Sequence, residues 1–389
     1  MGAGEPPVLA AGQPLWVRLR GWSFCAFTLI SALLGSIYII TPLLPLIFIN
    51  PKMWRKCMDR LIGIWVVMPG SLMSYVFGAK IHVRGDMIDH SKPAVMIMNH
   101  RSRLDWLYFW NALFKMDPWL CTSEKIVLKG ILKYVPGAGW AMACNSYIYL
   151  DRSFDTDETR LNNILDYYAR CGFNYQILFY PEGTDKCPLA TERSRKYAEK
   201  NELVHYEYVL HPRTTGFVHM IQNMRRAGYI DSIYDVTIGY NDCIVQSEVH
   251  FAAYGVCPKD VHYQVRKIKI SDLPEDDKGL SQWLINLWKE KEEKLRRFYL
   301  MDPKSREFDN TPNGKDYEPS TQTFIAQVII NVFWIATTIM WMYGFAKIPY
   351  MCSFAMFSSM IFFYIQRRWG GVEWLAIEKF NEVEKVKSI

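Results

Sequence analysis

Charge is absent from four stretches of this chain, and their lengths set the first reading of its architecture. Residues 22–49 form a run of about 28 positions with no charged side chain, long enough as a helix to cross the roughly 30 Å hydrocarbon layer of a bilayer. The run is too long for the core of a signal peptide and begins too far from Met1. Residues 61–79 form a second run near the lower length limit. Pro69 and Gly70 are expected to interrupt it, so it either spans or lies in the interface. Lys52, Arg55, Lys56 and Arg60 sit between the two runs, a cluster that the positive-inside rule keeps in the cytosol. That leaves only one of the two runs to cross completely. Near the other end, 324–345 and 350–365 are uncharged and separated by Lys347 and Pro349, the pattern of a tight transmembrane hairpin closed by Arg367 and Arg368. Basic residues at its outer ends outnumber Lys347 at its tip, which places linker and tail on the cytosolic side with the domain.

Between the apolar ends, 81–309 reads as a water-soluble α/β domain with a mixed sheet. Short β-like runs at 94–98, 175–180, 236–240 and 263–270 lie among helical stretches. Residues 280–299 are an amphipathic helix, since Leu280, Trp283, Leu284, Leu287, Trp288, Leu295, Phe298 and Tyr299 recur at helical spacing with Lys and Glu between them. Core packing is the expected role of that face. A polar stretch with Pro312, Gly314 and Pro319 reads as a linker. The chain thus divides into an N-terminal membrane anchor (1–80), a folded domain (81–309), a linker (310–320) and a hairpin with a cytosolic tail (321–389).

Composition sharpens this picture. The 14 Trp, 23 Tyr and 21 Phe suit a protein working at headgroup level. A net charge of +6 attracts anionic lipid or phosphorylated substrates but falls short of a nucleic-acid footprint, so no nucleic-acid partner is expected. Nine scattered cysteines without a Cys-x-x-Cys pair argue against a disulfide framework or a zinc site. No Asn-x-Ser/Thr acceptor argues for a large lumenal portion. The terminal Lys385-Val386-Lys387-Ser388-Ile389 resembles a dilysine retrieval signal of the endoplasmic reticulum.

Two polar islands carry the chemistry. Asn99-His100-Arg101-Ser102-Arg103-Leu104-Asp105 and Pro181-Glu182-Gly183-Thr184 each follow a β-like run, at the strand ends where sites of α/β folds gather. On a helix, His100 and Asp105 would lie about 140° apart. The pair works only if His100 precedes the helix, with Asn99 and His100 leaving the strand and residues 101–110 starting the helix. Asp105 then fixes one ring nitrogen and leaves the other as a base. The nucleophile would come from the substrate. Glu182 and Thr184 offer a carboxylate and a hydroxyl on a turn whose Gly183 permits close approach to a ligand. Lys125, Lys129 and Lys133 recur at four-residue steps, as on one helix face, and could grip a phosphate or simply be solvated. Arg213, in His211-Pro212-Arg213-Thr214-Thr215-Gly216, could bind phosphate bidentately.

These islands, together with Tyr149-Leu150-Asp151-Arg152 and His211-Pro212-Arg213-Thr214-Thr215, follow in order the four blocks of the glycerolipid acyltransferases, the 1-acylglycerol-3-phosphate acyltransferase-like family. The resemblance covers about 83–270, and its first and third blocks are specific. The flanking apolar runs, the 125–140 block and the 198–216 run look most like lysocardiolipin and lysophosphatidylinositol acyltransferases. The resemblance implies that His100 is a general base on the free hydroxyl of a lysophospholipid and that Asp105 orients it. The hydroxyl would attack acyl-CoA directly, with no cofactor, metal or covalent acyl-enzyme. It assigns Asn99, Lys129, Glu182, Gly183, Thr184 and Arg213 to substrate binding, beside a bilayer. One departure is Asp185, where lysophosphatidate acyltransferases usually carry arginine after Glu-Gly-Thr. Its charge would repel a dianionic headgroup, which favours a phosphodiester acceptor and leaves phosphatidate synthesis as the alternative, with Lys186 and Arg213 able to compensate. A catalytically silent lipid-binding scaffold is opposed by the presence together of His100, Asp105, Glu182 and Gly183. A hydrolase using Cys144 or a serine lacks a nucleophile elbow, and a channel or transporter lacks intramembrane ionisable residues.

Overall fold

A computed structural model describes residues 2–7, 12–151 and 154–387. Eight strands form one mixed sheet: β1 (Lys80–Gly85), β2 (Ala94–Met98), β3 (Glu124–Lys129), β4 (Ile148–Leu150), β5 (Gln176–Phe179), β6 (Ser232–Tyr240), β7 (Asp260–Lys269) and β8 (Lys315–Asp316). Their order is β4-β3-β5-β2-β6-β7-β1-β8. Strands β4, β3, β5, β2 and β6 run parallel, whereas β6 and β7 are antiparallel, as are β1 and β8. The parallel strands are buried on both faces, as such strands are when helices cover both sides.

Alternation along β2 divides the core. Met96 and Met98 face the Pro51–Tyr75 and Asp105–Met116 helices, which contribute Trp54, Ile62 and Phe109. Val95 and Ile97 face the Phe154–Cys171, Thr214–Arg226 and Asp277–Leu300 helices, which contribute Tyr167, Phe217 and Trp288. The amphipathic segment read at 280–299 is this last helix, and its apolar face is in the core as its spacing requires.

Two helical segments are long and apolar enough to cross a membrane, Leu15–Ile49 and Thr321–Lys347. The first passes through a π-helical turn at Ser36–Ile40, ahead of Pro42 and Pro45. The second turns at Lys347 into the Pro349–Trp369 helix, and both carry exposed apolar side chains such as Ile329 and Tyr350. The chain is a membrane protein.

The 61–79 run is something else. It belongs to the Pro51–Tyr75 helix, which continues through Pro69 and packs into the domain. A Cβ on Gly70 would lie 3.3 Å from Asn111 N, and one on Gly63 would lie 2.6 Å from Thr122 Cα. Absent side chains at these two positions let the helix press against the domain, and that packing outweighs the bond lost at Pro69. Of the two N-terminal runs, only the first lies in a segment long and apolar enough to cross. Residues 2–7 and β1 both sit in the sheet domain, Arg101 bonding Glu5 and β1 lying in the sheet.

Arg55 is no exposed topogenic charge. It is fully buried, its Nη2 2.8 Å from Asp59, and Lys125 Nζ lies 2.6 Å from the same carboxylate. Tyr175, Ser146 and Asn145 complete the cluster, which ties the helix to the sheet. The lysine stripe therefore dissolves: Lys125 and Lys129 lie on β3, and Lys133 on a short 3-10 turn. β-branched Ile126 and Val127 between them favour a strand over a helix.

The 310–320 linker is pinned as well. Its Lys315–Asp316 strand pairs with β1, and Arg84 binds Asp316 through two nitrogens at 2.7 and 3.0 Å. The tail forms a Val372–Lys387 helix whose Leu375 and Phe380 are buried. Ser388 and Ile389 of the retrieval-like motif lie outside the described residues, as does Arg152 of the second block. Asp59→Ala strands two buried cations, and is expected to cost about 3–5 kcal/mol in thermal unfolding of the detergent-solubilised protein.

Candidate active site

The parallel pairing of β2 with β5 brings the two islands together. Ile97 is level with Phe179, so Asn99 and Pro181 leave adjacent strands side by side. Asn99 does not point at a substrate. Its side-chain oxygen accepts from Ile238 N at 2.9 Å and its amide donates to Ile238 O at 3.2 Å, extending the ladder of β6 as a peptide group would. Substrate binding by Asn99 is thereby corrected to a fixed strand exit.

The helix begins at Asp105, and not at Arg101 as expected; residues 101–104 form a turn. That turn lets the carboxylate face backwards. Asp105 is 0% exposed, and its Oδ2 accepts from His100 Nδ1 at 2.9 Å, Arg101 N at 2.7 Å and Ser102 N at 3.0 Å. Tyr240 donates its hydroxyl to Oδ1. A carboxylate at a helix N-terminus is further favoured by the helix dipole. Among the described residues, His100 Nε2 bonds to no protein group, and the side chain keeps 16% of its surface. The ring stacks on Tyr180 at 4.1 Å. Asp105 thus fixes the tautomer and leaves Nε2 open to an incoming hydroxyl.

The second island holds the first. Glu182 Oε1 accepts from His100 N at 3.3 Å, and Lys186 N donates to His100 O at 2.7 Å. Both peptide groups of the histidine therefore end on one loop. Glu182 is buried and also accepts from Trp288 Nε1 at 3.2 Å. Its carboxyl is turned inward, so it supports the base and does not lie open to a ligand. Burial pushes its pKa up to about 8, against the bonds from Trp288 and His100.

Gly183 has φ +72°, and a Cβ there would meet Arg213 Cδ at 3.3 Å. The close approach it permits is by Arg213, whose own N–H binds Pro181 O at 2.8 Å. Among the described residues no carboxylate lies within ion-pair distance of Arg213, which leaves a cation beside the second island. Thr184 is half-buried on the same turn, and Lys129 ends β3 on the same edge of the sheet. Asp185 departs from expectation. It is buried, accepts from Gln246 Nε2 at 3.1 Å and lies 3.3 Å from Arg103 Nε, so its charge is met inside the protein. The repulsion argued for a dianionic headgroup has no basis in this geometry.

Sequence reading missed Tyr240, Gln246, Trp288 and Glu5, all of which touch the two loops. Tyr240 alone carried a signal, as a polar tip ending a β-like run. The cysteine rival fares badly: Cys144 is fully buried, and burial drives its thiol pKa well up, away from thiolate.

Glu182 links the site to stability. Between the ordinary carboxyl range and about 8, the folded chain holds a proton that the unfolded chain has released. Its contribution therefore weakens as pH rises through that window. Glu182→Gln keeps the accepting oxygen and cannot ionise. Its melting temperature in detergent is expected to fall less between pH 5 and pH 8 than that of the parent.

The family model described as Acyltransferase matches residues 80–241, and that described as Acyltransferase C-terminus matches residues 253–330. Lysophosphatidylinositol acyltransferase 10 of Caenorhabditis elegans is 40% identical, over 94% of this chain and 95% of its own. Lysocardiolipin acyltransferase 1 of Danio rerio is 40% identical over 75% of this chain and 74% of its own. The protein of that name from Mus musculus is 33% identical over 95% and 97%. This chain therefore belongs to the acyltransferase family, and it is an acyltransferase.

Proposed function

We propose that the protein transfers a fatty acyl group from acyl-CoA to a free glycerol hydroxyl of a lysophospholipid, in phospholipid remodelling. The observation that carries this reading is His100, with one ring nitrogen fixed by buried Asp105 and the other open, at the end of a sheet packed against membrane helices. Nε2 takes the hydroxyl proton as the oxygen attacks the thioester carbonyl. Collapse of the tetrahedral adduct breaks the C–S bond, and the imidazolium returns the proton to the departing thiolate. Acyl-CoA is the co-substrate, and this scheme needs no metal, cofactor or acyl-enzyme.

The acceptor proposed is a phosphodiester, lysophosphatidylinositol, lysophosphatidylglycerol or lysocardiolipin, and relatives named for the first and the last support it. Arg213 stands where it could bind the phosphate, and Lys129 and Thr184 lie on the same edge. Lysophosphatidate is the second reading, favoured by Asp185 being neutralised from within. The retrieval-like Lys385 and Lys387 support residence in the endoplasmic reticulum membrane, with the domain facing the cytosol.

Membranes containing the protein, given a panel of lysophospholipids and labelled acyl-CoA, are expected to form product with the phosphodiester acceptors. Acceptance of lysophosphatidate alone would reverse the preference. His100→Ala is expected to lower the rate by about 10² to 10⁴ without loss of membrane insertion, and a fully active variant would remove His100 from the chemistry.

Tyr240 tunes the same pair. Burial and the neighbouring Asp105 hold its phenol well above the ordinary range, so it stays a donor. Tyr240→Phe strips one donor from the carboxylate, which then holds the imidazolium more tightly. The acidic limb of the kcat/KM profile is expected to move to higher pH, while an unmoved limb would show that the phenol only fills space.

A further inference from the structure

Residues 2–7 precede the first apolar helix and form no regular element, yet they are fastened across the folded domain. Tyr208 donates to Ala3 O at 2.7 Å, Arg306 Nη2 to Gly4 O at 2.5 Å and Ile244 N to Pro7 O at 3.1 Å. Gly4 takes φ +72°, and a Cβ there would lie 2.1 Å from Tyr299 O. Such a fit is specific to this path. It delivers one carboxylate to the interior: the Glu5 side chain is 0% exposed, and its Oε1 accepts from Arg101 Nε at 2.5 Å.

Arg101 belongs to the turn between His100 and Asp105. Its peptide N–H binds Asp105 Oδ2 at 2.7 Å, while Nη1 binds Lys186 O at 2.9 Å and Gln246 Oε1 at 3.2 Å. It therefore braces the turn from the base to its aspartate and also the loop that holds the peptide groups of His100. The guanidinium is nearly fully buried, and among the described residues Glu5 is its only ion-pair partner. A buried cation without a counterion would be drawn towards water and would release those carbonyls.

We propose that Glu5 is a positioning residue for acyl transfer, acting through Arg101, and that the amino-terminal strap is part of the active-site scaffold. The proposal rests on the reading of His100 as the base. Glu5 touches no reacting atom, so its loss acts on turnover through geometry.

The test uses the full chain in detergent micelles or vesicles, with kinetics and hydrogen exchange at residues 100–105 measured together. Glu5→Gln is expected to lower kcat about 10²-fold, the scale of a misplacement near 1 Å. KM for both substrates should stay within about threefold, and exchange at 100–105 should quicken; Glu5→Asp should fall between parent and Glu5→Gln. Parent-like kcat in Glu5→Gln, a loss through KM alone, or a loss with exchange unchanged would each overturn the proposal. If Glu5→Gln does not fold, Tyr208→Phe decides. That variant frees the strap at Ala3 while keeping Glu5: a smaller fall in kcat at constant KM supports the proposal, and parent kinetics overturn it. Faster loop exchange in Glu5→Gln beside a fully active His100→Ala would retire the base and keep the strap, so the two failures are distinct.

Discussion

Both peptide groups of His100 end on the loop that follows β5, the N–H on Glu182 and the carbonyl on the N–H of Lys186. This pair of bonds is the constraint on which the site depends. A base must be held in place while its ring stays accessible, and holding it through its backbone leaves the ring free for chemistry. The ring is then oriented by Asp105 on one nitrogen and Tyr180 against its face. The order of the sheet serves this contact, because β2 and β5 are adjacent, parallel and in register, which sets residues some eighty positions apart side by side.

The same economy governs the charges. Among the described residues no lysine or arginine lies within ion-pair distance of buried Asp105, which is satisfied by His100 and by donors from two peptide groups and a phenol. Arg101 is answered by Glu5, Asp185 by Arg103 and Gln246, and buried Asp235 by Lys291 at 2.5 Å. Arg213 stands outside this pattern, among the described residues a cation near the site with no paired carboxylate. Lys186 on the same loop is buried, whereas Arg213 is exposed and so is open to the anionic ligand proposed for it.

Much of this was legible from the chain, and the reasons differ by residue. The islands were visible because short polar clusters after β-like runs are costly unless they serve a purpose, and the 3.6-residue spacing of 280–299 fixed its face. The inward turn of Glu182 was not legible, because a carboxylate after a strand looks alike whether it meets water or an indole, and Trp288 comes more than a hundred positions later. Lys125 to Lys133 misled through spacing alone, since a four-residue step means a helix face only if the backbone is helical. Pro69 misled in the opposite sense, for tertiary packing retained a helix that local chemistry would end. Glu5 could not be found at all: its partner was hidden behind the fold, and nothing local marks a coil residue as a counterion.

The membrane helices are not a tether on which a soluble domain swings. Trp140, just after the basic block, stacks on Phe362 of the hairpin at 4.6 Å, and Arg20 of the first apolar helix bonds Gly255 O at 2.9 Å. Near the middle of that helix, Ser31 accepts from Trp65 at 3.1 Å, on the helix that joins the sheet through Asp59. Sheet and membrane helices are thus packed together at several separate points. For the proposed acceptor this matters energetically. Drawing a chain of about sixteen methylenes into water costs roughly 13 kcal/mol at about 0.8 kcal/mol per methylene, a load comparable to much of an enzymatic rate enhancement. A domain packed directly against its membrane helices can keep that chain in hydrocarbon while only the glycerol hydroxyl meets His100. Rigid attachment therefore serves the chemistry: it holds the base at a constant distance from the lipid, so that binding energy need not be spent on extraction.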